Sequence, residues 1–269
     1  MRAKNAPTLI TGCQRTGTTL VYLILDSHPH ITGVDEIDFS PHLIKTYLTA
    51  NEYHPNVALK LPQYASSMDF IKSIPSLTTL WCIRDPRDVV VSMTRLQLKL
   101  RPTGSVSWAV HPRGGPLAIK NALSTLGRET RRQLRDQIDK LERILGKPLS
   151  ARSRADAVYV GALCWRVRNE LLQVYDREKV SYRKVVYEEL IEDPRKEVGE
   201  ILDFLDLPWD EQVLQHHLFH QGVSIGGTDT SRAIDPNNTG KWKGDLSEGE
   251  LSCIAELCSP IASNMGYSL

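Results

Sequence analysis

Short apolar runs alternate with longer stretches of helical period along this chain. Thr8-Leu9-Ile10 opens a buried strand. Leu20 to Leu25 is apolar apart from Tyr22 and stops at Asp26-Ser27-His28-Pro29, the pattern of a buried helix ended before a proline. Phe39 to Ala50 predicts a short helix with Pro41 near its start. Val57-Ala58-Leu59 reads as a short strand, Tyr64 to Ile74 as a helix and Thr78 to Ile83 as a clear strand. The helix over Asp85 to Lys99 has the best-marked start: Asp85 can cap, Pro86 suits the first helical position and Asp88 places negative charge in the first turn. Residues 101–116, with repeated Gly and Pro, are irregular, and loops of that length are often functional. Two long helices follow, Arg128 to Leu145 and Ala155 to Arg177, then a strand, Val180 to Val186, and a helix, Pro194 to Leu205. Residues 222–245 predict a second long loop. Leu246 to Asn264 closes the chain as a helix, with Ser247 and Glu250 in capping-box spacing. Strands alternating with helices predict an α/β fold, a central parallel sheet flanked by crossover helices.

Composition narrows this only a little. The 269 residues suit one large α/β domain, and no repeat or low-complexity linker divides them. A formal charge of +1 gives no global field that favours nucleic acid or a membrane surface. Met1 to Pro7 lacks the apolar core of a signal peptide, and no run of 18 apolar residues predicts a membrane span. Five scattered cysteines form no C-x-x-C and no paired framework, which fits a reducing, cytoplasmic setting. One local bias stands out. Lys120 to Asp156 carries ten Lys and Arg against five acids, either a solvated helix face or a surface that draws an anionic acceptor such as a glycan or lipid headgroup.

The chemistry begins at Gly12-Cys13-Gln14-Arg15-Thr16-Gly17-Thr18-Thr19. The spacing is that of a phosphate-binding P-loop, but Thr18 stands where the lysine belongs and the positive charge is Arg15, inside the loop. A strand precedes the segment and a helix follows, so free N–H groups at the helix start can hold an anion. Loss of the lysine points away from ATP or GTP and towards a nucleotide with a different reactive end. Cys13 is either a reactive thiol or a small filler. A second anion site is predicted at Arg84-Asp85-Pro86-Arg87-Asp88. Arg84 ends a strand, where open α/β sheets bind ligands, and Ser92 lies two turns into the next helix. Taken alone, that segment is equally a capping ion-pair cluster.

Together the two segments resemble the sulfotransferases that use 3′-phosphoadenosine 5′-phosphosulfate (PAPS). The resemblance covers residues 8–97 and 180–267 and is strengthened by Tyr187-Glu188-Glu189-Leu190, Asp193-Pro194, Phe204-Leu205-Asp206-Leu207-Pro208 and Thr239-Gly240-Lys241-Trp242-Lys243. It implies a P-loop nucleotide-binding fold and a single domain over 1–269, with a cofactor-binding core and a helical insertion over 100–178 on the acceptor side. It implies that Arg15, Thr16, Gly17, Thr18 and Thr19 bind the 5′-phosphosulfate, that Arg84 and Ser92 bind the 3′-phosphate, that Tyr187 lies near the adenine and that Lys241 and Trp242 belong to a lid. The Arg-Lys-Gly found at the 3′-phosphate in cytosolic small-molecule members is absent; Ser231-Arg232 is the nearest candidate. Arg15 in the loop, and no histidine before Leu61-Pro62, make the chain look more like the bacterial and tyrosylprotein branches.

The same resemblance implies sulfuryl transfer to a hydroxyl without a metal. Arg15 would neutralise the leaving nucleotide, Lys60 would contact the transferring group and Glu36 would take the acceptor's proton. Each has a plainer alternative: Lys60 as a snorkelling surface lysine, Glu36 as part of a solvated acidic turn. His28 and His30 are runner-up bases. His216, His217 and His220 have i, i+4 spacing at their ends but no H-E-x-x-H pattern or nearby cysteine, and read as a surface helix. The acceptor stays open among small molecule, glycan, lipid and peptide. Two further functions compete: a nucleoside or nucleotide kinase with a degenerate loop, and a nucleotide-binding protein without catalysis.

Overall fold

The computed structural model describes residues 7–40, 56–100, 116–147, 152–221, 224–225 and 228–269. In chain order they form β1 (Thr8–Gly12), α1 (Thr18–Asp26), β2 (Ile31–Asp35), β3 (Asn56–Lys60), α2 (Met68–Ser73), β4 (Thr78–Ile83), α3 (Pro86–Leu100), α4 (Pro116–Thr125), α5 (Arg128–Gln133), α6 (Arg135–Gly146), α7 (Arg154–Glu170), α8 (Leu172–Arg177), β5 (Tyr182–Val186), α9 (Tyr187–Glu192), α10 (Pro194–Phe204), α11 (His216–Phe219), β6 (Ser224–Ile225), β7 (Thr228–Asp229) and α12 (Glu248–Ala262). The helix expected over 39–50 and the irregular segment over 101–116 fall almost wholly outside the described residues. No helix among the described residues is long and apolar enough to cross a membrane.

The chain divides into two compact units. The first comprises Met1–Gly12, Thr16–Ile83 and Val180–Asn238; the second comprises Cys13–Arg15, Arg84–Lys179 and Thr239–Leu269. The first unit holds a parallel sheet with strand order β2-β3-β1-β4-β5. Every neighbouring pair in it is parallel, as the alternation of strands and helices predicts. The order reverses direction at β1, so its carboxyl end opens at the switch point where such sheets bind ligands. The central strands are apolar on both faces. Leu9, Ile10, Leu59 and Leu80 are fully buried, and α1, α9 and α10 supply Val21, Leu23, Ile24, Leu190, Val198 and Ile201 to the core that Ile10 and Leu80 share.

The second unit is helical and is built around α7. Ser153 and Asp156 form a capping box at its start, and residues 158–170 of this helix are buried all round, which marks a central helix rather than a surface one. It packs against α3, α4 and α12. Gly161 faces α3, where a Cβ would make ordinary van der Waals contact with Val90 at 3.5 Å. Within α7 Arg166 meets Glu170 at 2.5 Å, and Trp165 donates its indole N–H to the Arg84 carbonyl at 2.9 Å.

Four expectations change. β2 was not predicted. The expected helix Tyr64 to Ile74 is a 3-10 turn, Pro62–Tyr64, followed by the short α2. The helix expected over Arg128 to Leu145 breaks at Leu134, whose φ of −95° and ψ of 9° leave the helical region, and that over Ala155 to Arg177 breaks at Leu171. The loop expected over 222–245 contains the antiparallel pair β6–β7, two residues each, and a 3-10 turn, Lys241–Gly244. By contrast, the capping box at Ser247 and Glu250 forms as the spacing predicts.

Candidate active site

In the first unit, β1 runs into Gly12, whose φ is +143°, and an added Cβ would lie 2.4 Å from the Cys82 carbonyl oxygen. Only glycine lets the chain leave the strand here. Gly17, at φ +93°, starts α1. Its position gives α1 no side-chain cap, and the first turn carries no acidic residue. The helix start is therefore a positive end with N–H groups unclaimed by a capping side chain. Thr16 and Thr18 are buried beside it. The Tyr187 ring closes on this turn: a Cβ on Gly17 would meet its Cδ2 at 2.4 Å. The Tyr187 hydroxyl accepts from Asn238 Nδ2 at 2.5 Å, so the ring is held at both ends.

At the same carboxyl edge of the sheet stand Asp35 and Lys60, the last residues of β2 and β3, directly opposite in the parallel register. Lys60 is only 2% exposed, which removes the snorkelling alternative. Its Nζ donates to Asp35 Oδ2 at 2.6 Å and lies 3.7 Å from Glu36 Oε1. Glu36 keeps about a quarter of its side chain exposed, whereas Asp35 is buried. Asp35 Oδ1 accepts the Ile37 N–H at 3.0 Å, and the Asp35 carbonyl accepts from Asp38 and Phe39. Burial, then the nearby carboxylates of Asp26, Asp35 and Asp38, push the Tyr22 phenol well above its ordinary range.

The second unit carries Arg15 in the left-handed region at φ 68°, a conformation that costs a residue with a side chain roughly 1–2 kcal/mol. Arg15 Nε donates to Ser92 Oγ at 2.9 Å. Arg84 is buried, and its Nη2 lies 3.9 Å from Asp88 Oδ2. Asp88 does more than charge the first turn of α3. Its Oδ2 accepts the Gly240 N–H at 2.7 Å and its Oδ1 the Trp242 N–H at 3.2 Å. Arg87 stacks 4.1 Å from the Trp242 ring centroid and forks onto Asp85, the residue that also accepts the Arg87 N–H as helix cap. The turn that bears Lys241 and Trp242 is thereby fastened to the start of α3.

Other sequence candidates fare differently. Ser231 is exposed and its hydroxyl donates to Asp229 Oδ1 at 2.6 Å, a carboxylate neighbour that does not suit a phosphate. His28 uses both ring nitrogens on backbone, donating from Nε2 to the Pro208 carbonyl and accepting at Nδ1 from the His30 N–H, so neither is open to a proton from an acceptor. His216 is buried rather than on a helix surface, and desolvation above all pushes its imidazole down to about 4. Cys13 is fully buried, and burial pushes its thiol well up, which makes it a filler. Asp35 and Asp88 were missed as partners. Neighbouring carboxylates in the sequence were visible, but which one meets Lys60 depends on strand register.

A family model described as sulfotransferase domain matches residues 5–222. The chain is 26% identical over 271 residues to a protein-tyrosine sulfotransferase of Drosophila melanogaster, a match that covers 96% of this chain and 51% of the fly protein. It is 31% identical over 90 residues to protein-tyrosine sulfotransferase A of Caenorhabditis elegans, covering 31% of this chain and 23% of the worm protein. The chain thus spans about half the length of the fly relative. Among solved structures, the sulfotransferase domain from the curacin biosynthetic pathway aligns with a TM-score of 0.55 at 17% identity over 100% of both chains. A mouse sulfotransferase complexed with PAP aligns at 0.51 and 14% over 100% of this chain and 87% of that one. Both show the shared fold. With the domain matched over most of its length, the chain belongs to the sulfotransferase family.

Proposed function

We propose that this chain transfers a sulfuryl group from PAPS to a hydroxyl acceptor by in-line displacement. The observation that carries the reading is the buried Lys60, held between Asp35 and Glu36 at the sheet edge where β1 delivers the glycine loop. PAPS supplies the activated sulfuryl group. The chain's own residues then have separable tasks. The start of α1, with Thr16, Gly17, Thr18 and Thr19, binds the 5′ end by backbone N–H groups and hydroxyls. Arg15 offsets negative charge on the leaving nucleotide, and Lys60 offsets charge on the transferring oxygens. Arg84 and Ser92 bind the 3′-phosphate, and Tyr187, Lys241 and Trp242 close on the nucleoside. Glu36, the more exposed of the two carboxylates, takes the proton from the acceptor hydroxyl.

The Asp35–Lys60–Glu36 group also argues against the kinase reading. A kinase needs a carboxylate near its loop to hold Mg²⁺. Here an ammonium sits 2.6 Å from one carboxylate and 3.7 Å from the other, so it already occupies the place a dication would take between them. The fly and worm relatives are named as protein-tyrosine sulfotransferases, which makes a tyrosyl peptide the first acceptor to try.

Calorimetric titration with 3′-phosphoadenosine 5′-phosphate (PAP), against AMP and Mg·ATP, tests the cofactor. Tighter binding of PAP than of AMP is expected, and Arg84→Gln should reduce PAP to the AMP level while leaving AMP unchanged. A preference for Mg·ATP, or no binding of PAP, would sink the proposal.

A further inference from the structure

The carboxylate that holds Lys60 is also the one that shapes the turn carrying Glu36. Asp35 closes β2 and faces Lys60 across the parallel pair. One oxygen, Oδ2, takes the ammonium at 2.6 Å; the other, Oδ1, accepts the Ile37 N–H at 3.0 Å and so spans Glu36. The Asp35 carbonyl adds bonds from Asp38 and Phe39, which tighten the same turn. Asp35 is itself 4% exposed and therefore poorly placed to meet an acceptor, whereas Glu36 keeps about a quarter of its side chain exposed.

We infer that Asp35 is a positioning residue for the transfer, acting through its two oxygens on two different groups. Oδ2 fixes the Lys60 ammonium at 2.6 Å, which leaves Glu36, at 3.7 Å, as the longer of its two carboxylate partners. Oδ1 fixes the backbone that presents Glu36. Without Oδ2's charge the buried ammonium turns to its remaining carboxylate. That single shift misplaces the cation and tightens its existing hold on Glu36. The inference rests on the sulfuryl-transfer reading and extends it to a residue that does not touch the reacting atoms.

The two tasks can be separated by substitution. Asp35→Asn keeps an acceptor oxygen for the Ile37 N–H but loses the charge that holds Lys60. Asp35→Ala loses both. Lys60→Met removes the ammonium at similar volume. Turnover of PAPS to PAP is followed by anion-exchange chromatography with a tyrosyl peptide and with water alone as acceptor, and PAP affinity by calorimetry. Asp35→Asn should lower kcat by about 100-fold, the scale of a small misplacement in a reacting geometry, with PAP affinity retained. In the Lys60→Met background, Asp35→Asn should cost nothing further, because its effect runs through Lys60, while Asp35→Ala should still lower the rate through Glu36. A purely structural role would lower both backgrounds alike and weaken PAP as well. Should Asp35→Asn alone fail to fold, the two double variants, which bury no unpaired ammonium, decide by the same comparison. A wild-type chain that binds no PAP, or that binds it without turning over PAPS, removes the transfer reading and the inference with it. A wild-type chain that turns over, with Asp35→Asn at the wild-type kcat, removes this inference alone.

Discussion

At the residue scale, burial sorts the groups that sequence alone leaves ambiguous. Lys60 and Cys13 are both fully enclosed, with opposite consequences. The lysine keeps a partner carboxylate in its enclosure, while for the thiol desolvation outweighs the opposing effect of Arg168. Cys82 and Cys258 are buried and shifted up in the same way, and Cys253 is only half-buried. Iodoacetamide applied to the native protein at pH 8 should therefore add to Cys253 and reach Cys13, Cys82, Cys164 and Cys258 only after denaturation. Peptide mass mapping that finds Cys13 alkylated in the native state would return it to the list of reactive groups. Arg15, Lys60, Glu36 and Arg84 could be proposed from the sequence because charged side chains and motif spacing, read through the family resemblance, are written there. Asp35 was not, since adjacent Asp35 and Glu36 look alike until the pairing of β2 with β3 puts one of them opposite Lys60. Tyr187 was placed near the nucleotide by resemblance; its closure on Gly17 is a contact between residues 170 positions apart that no local pattern encodes.

At the scale of elements, strong periodicity and marked ends were legible, and weak or tertiary ones were not. α3 begins where Asp85 and Pro86 indicate, and α12 where Ser247 and Glu250 indicate, because a cap is a local bond. β2 escaped prediction because Ile31-Thr32-Gly33-Val34-Asp35 has an apolar run too short and a glycine too central to read as a strand. Its identity comes from pairing with β3 and from Asp26, which accepts the Gly33 N–H at 2.6 Å. The turn at 239–242 shows the same dependence. Its N–H groups at Gly240 and Trp242 donate hydrogen bonds to Asp88. Asp88→Ala should leave those two part-buried N–H groups without their acceptor, at a cost of about 1 kcal/mol. Amide exchange should then speed up at Gly240 and Trp242 while the helix α7 stays protected. Unchanged exchange at both amides would mean that the Arg87–Trp242 stacking alone holds the turn.

For the whole molecule, stability against pH is set by groups whose folded environment resists protonation or favours ionisation. His216 is the largest such group in the first unit: burial, then the proximity of His217 and His220, push its imidazole down to about 4. An unfolded histidine titrates near 6.5, so between those values the unfolded chain binds the extra proton. His216 thus leaves stability intact above pH 6.5 and subtracts from it progressively as pH falls towards 4, by about 3 kcal/mol at the end of that window. Asp156 and Glu250, both in the second unit, work at lower pH. Bonds from Ser153 and Lys147 to the first, and from Arg154 and Ser247 to the second, outweigh their burial and hold both carboxylates below their ordinary values. Their contribution is present at neutral pH and is lost as pH falls below about 4.5. Urea unfolding of the wild-type chain should accordingly show its midpoint dropping first between pH 6.5 and 4. His216→Gln, which cannot take up a proton in that range, should flatten this first decline and leave the fall below pH 4.5 in place. Equal slopes for the two proteins between pH 6.5 and 4 would mean that the buried imidazole reaches solvent as readily in the folded chain as in the unfolded one, and that the acid sensitivity belongs to the carboxylates alone.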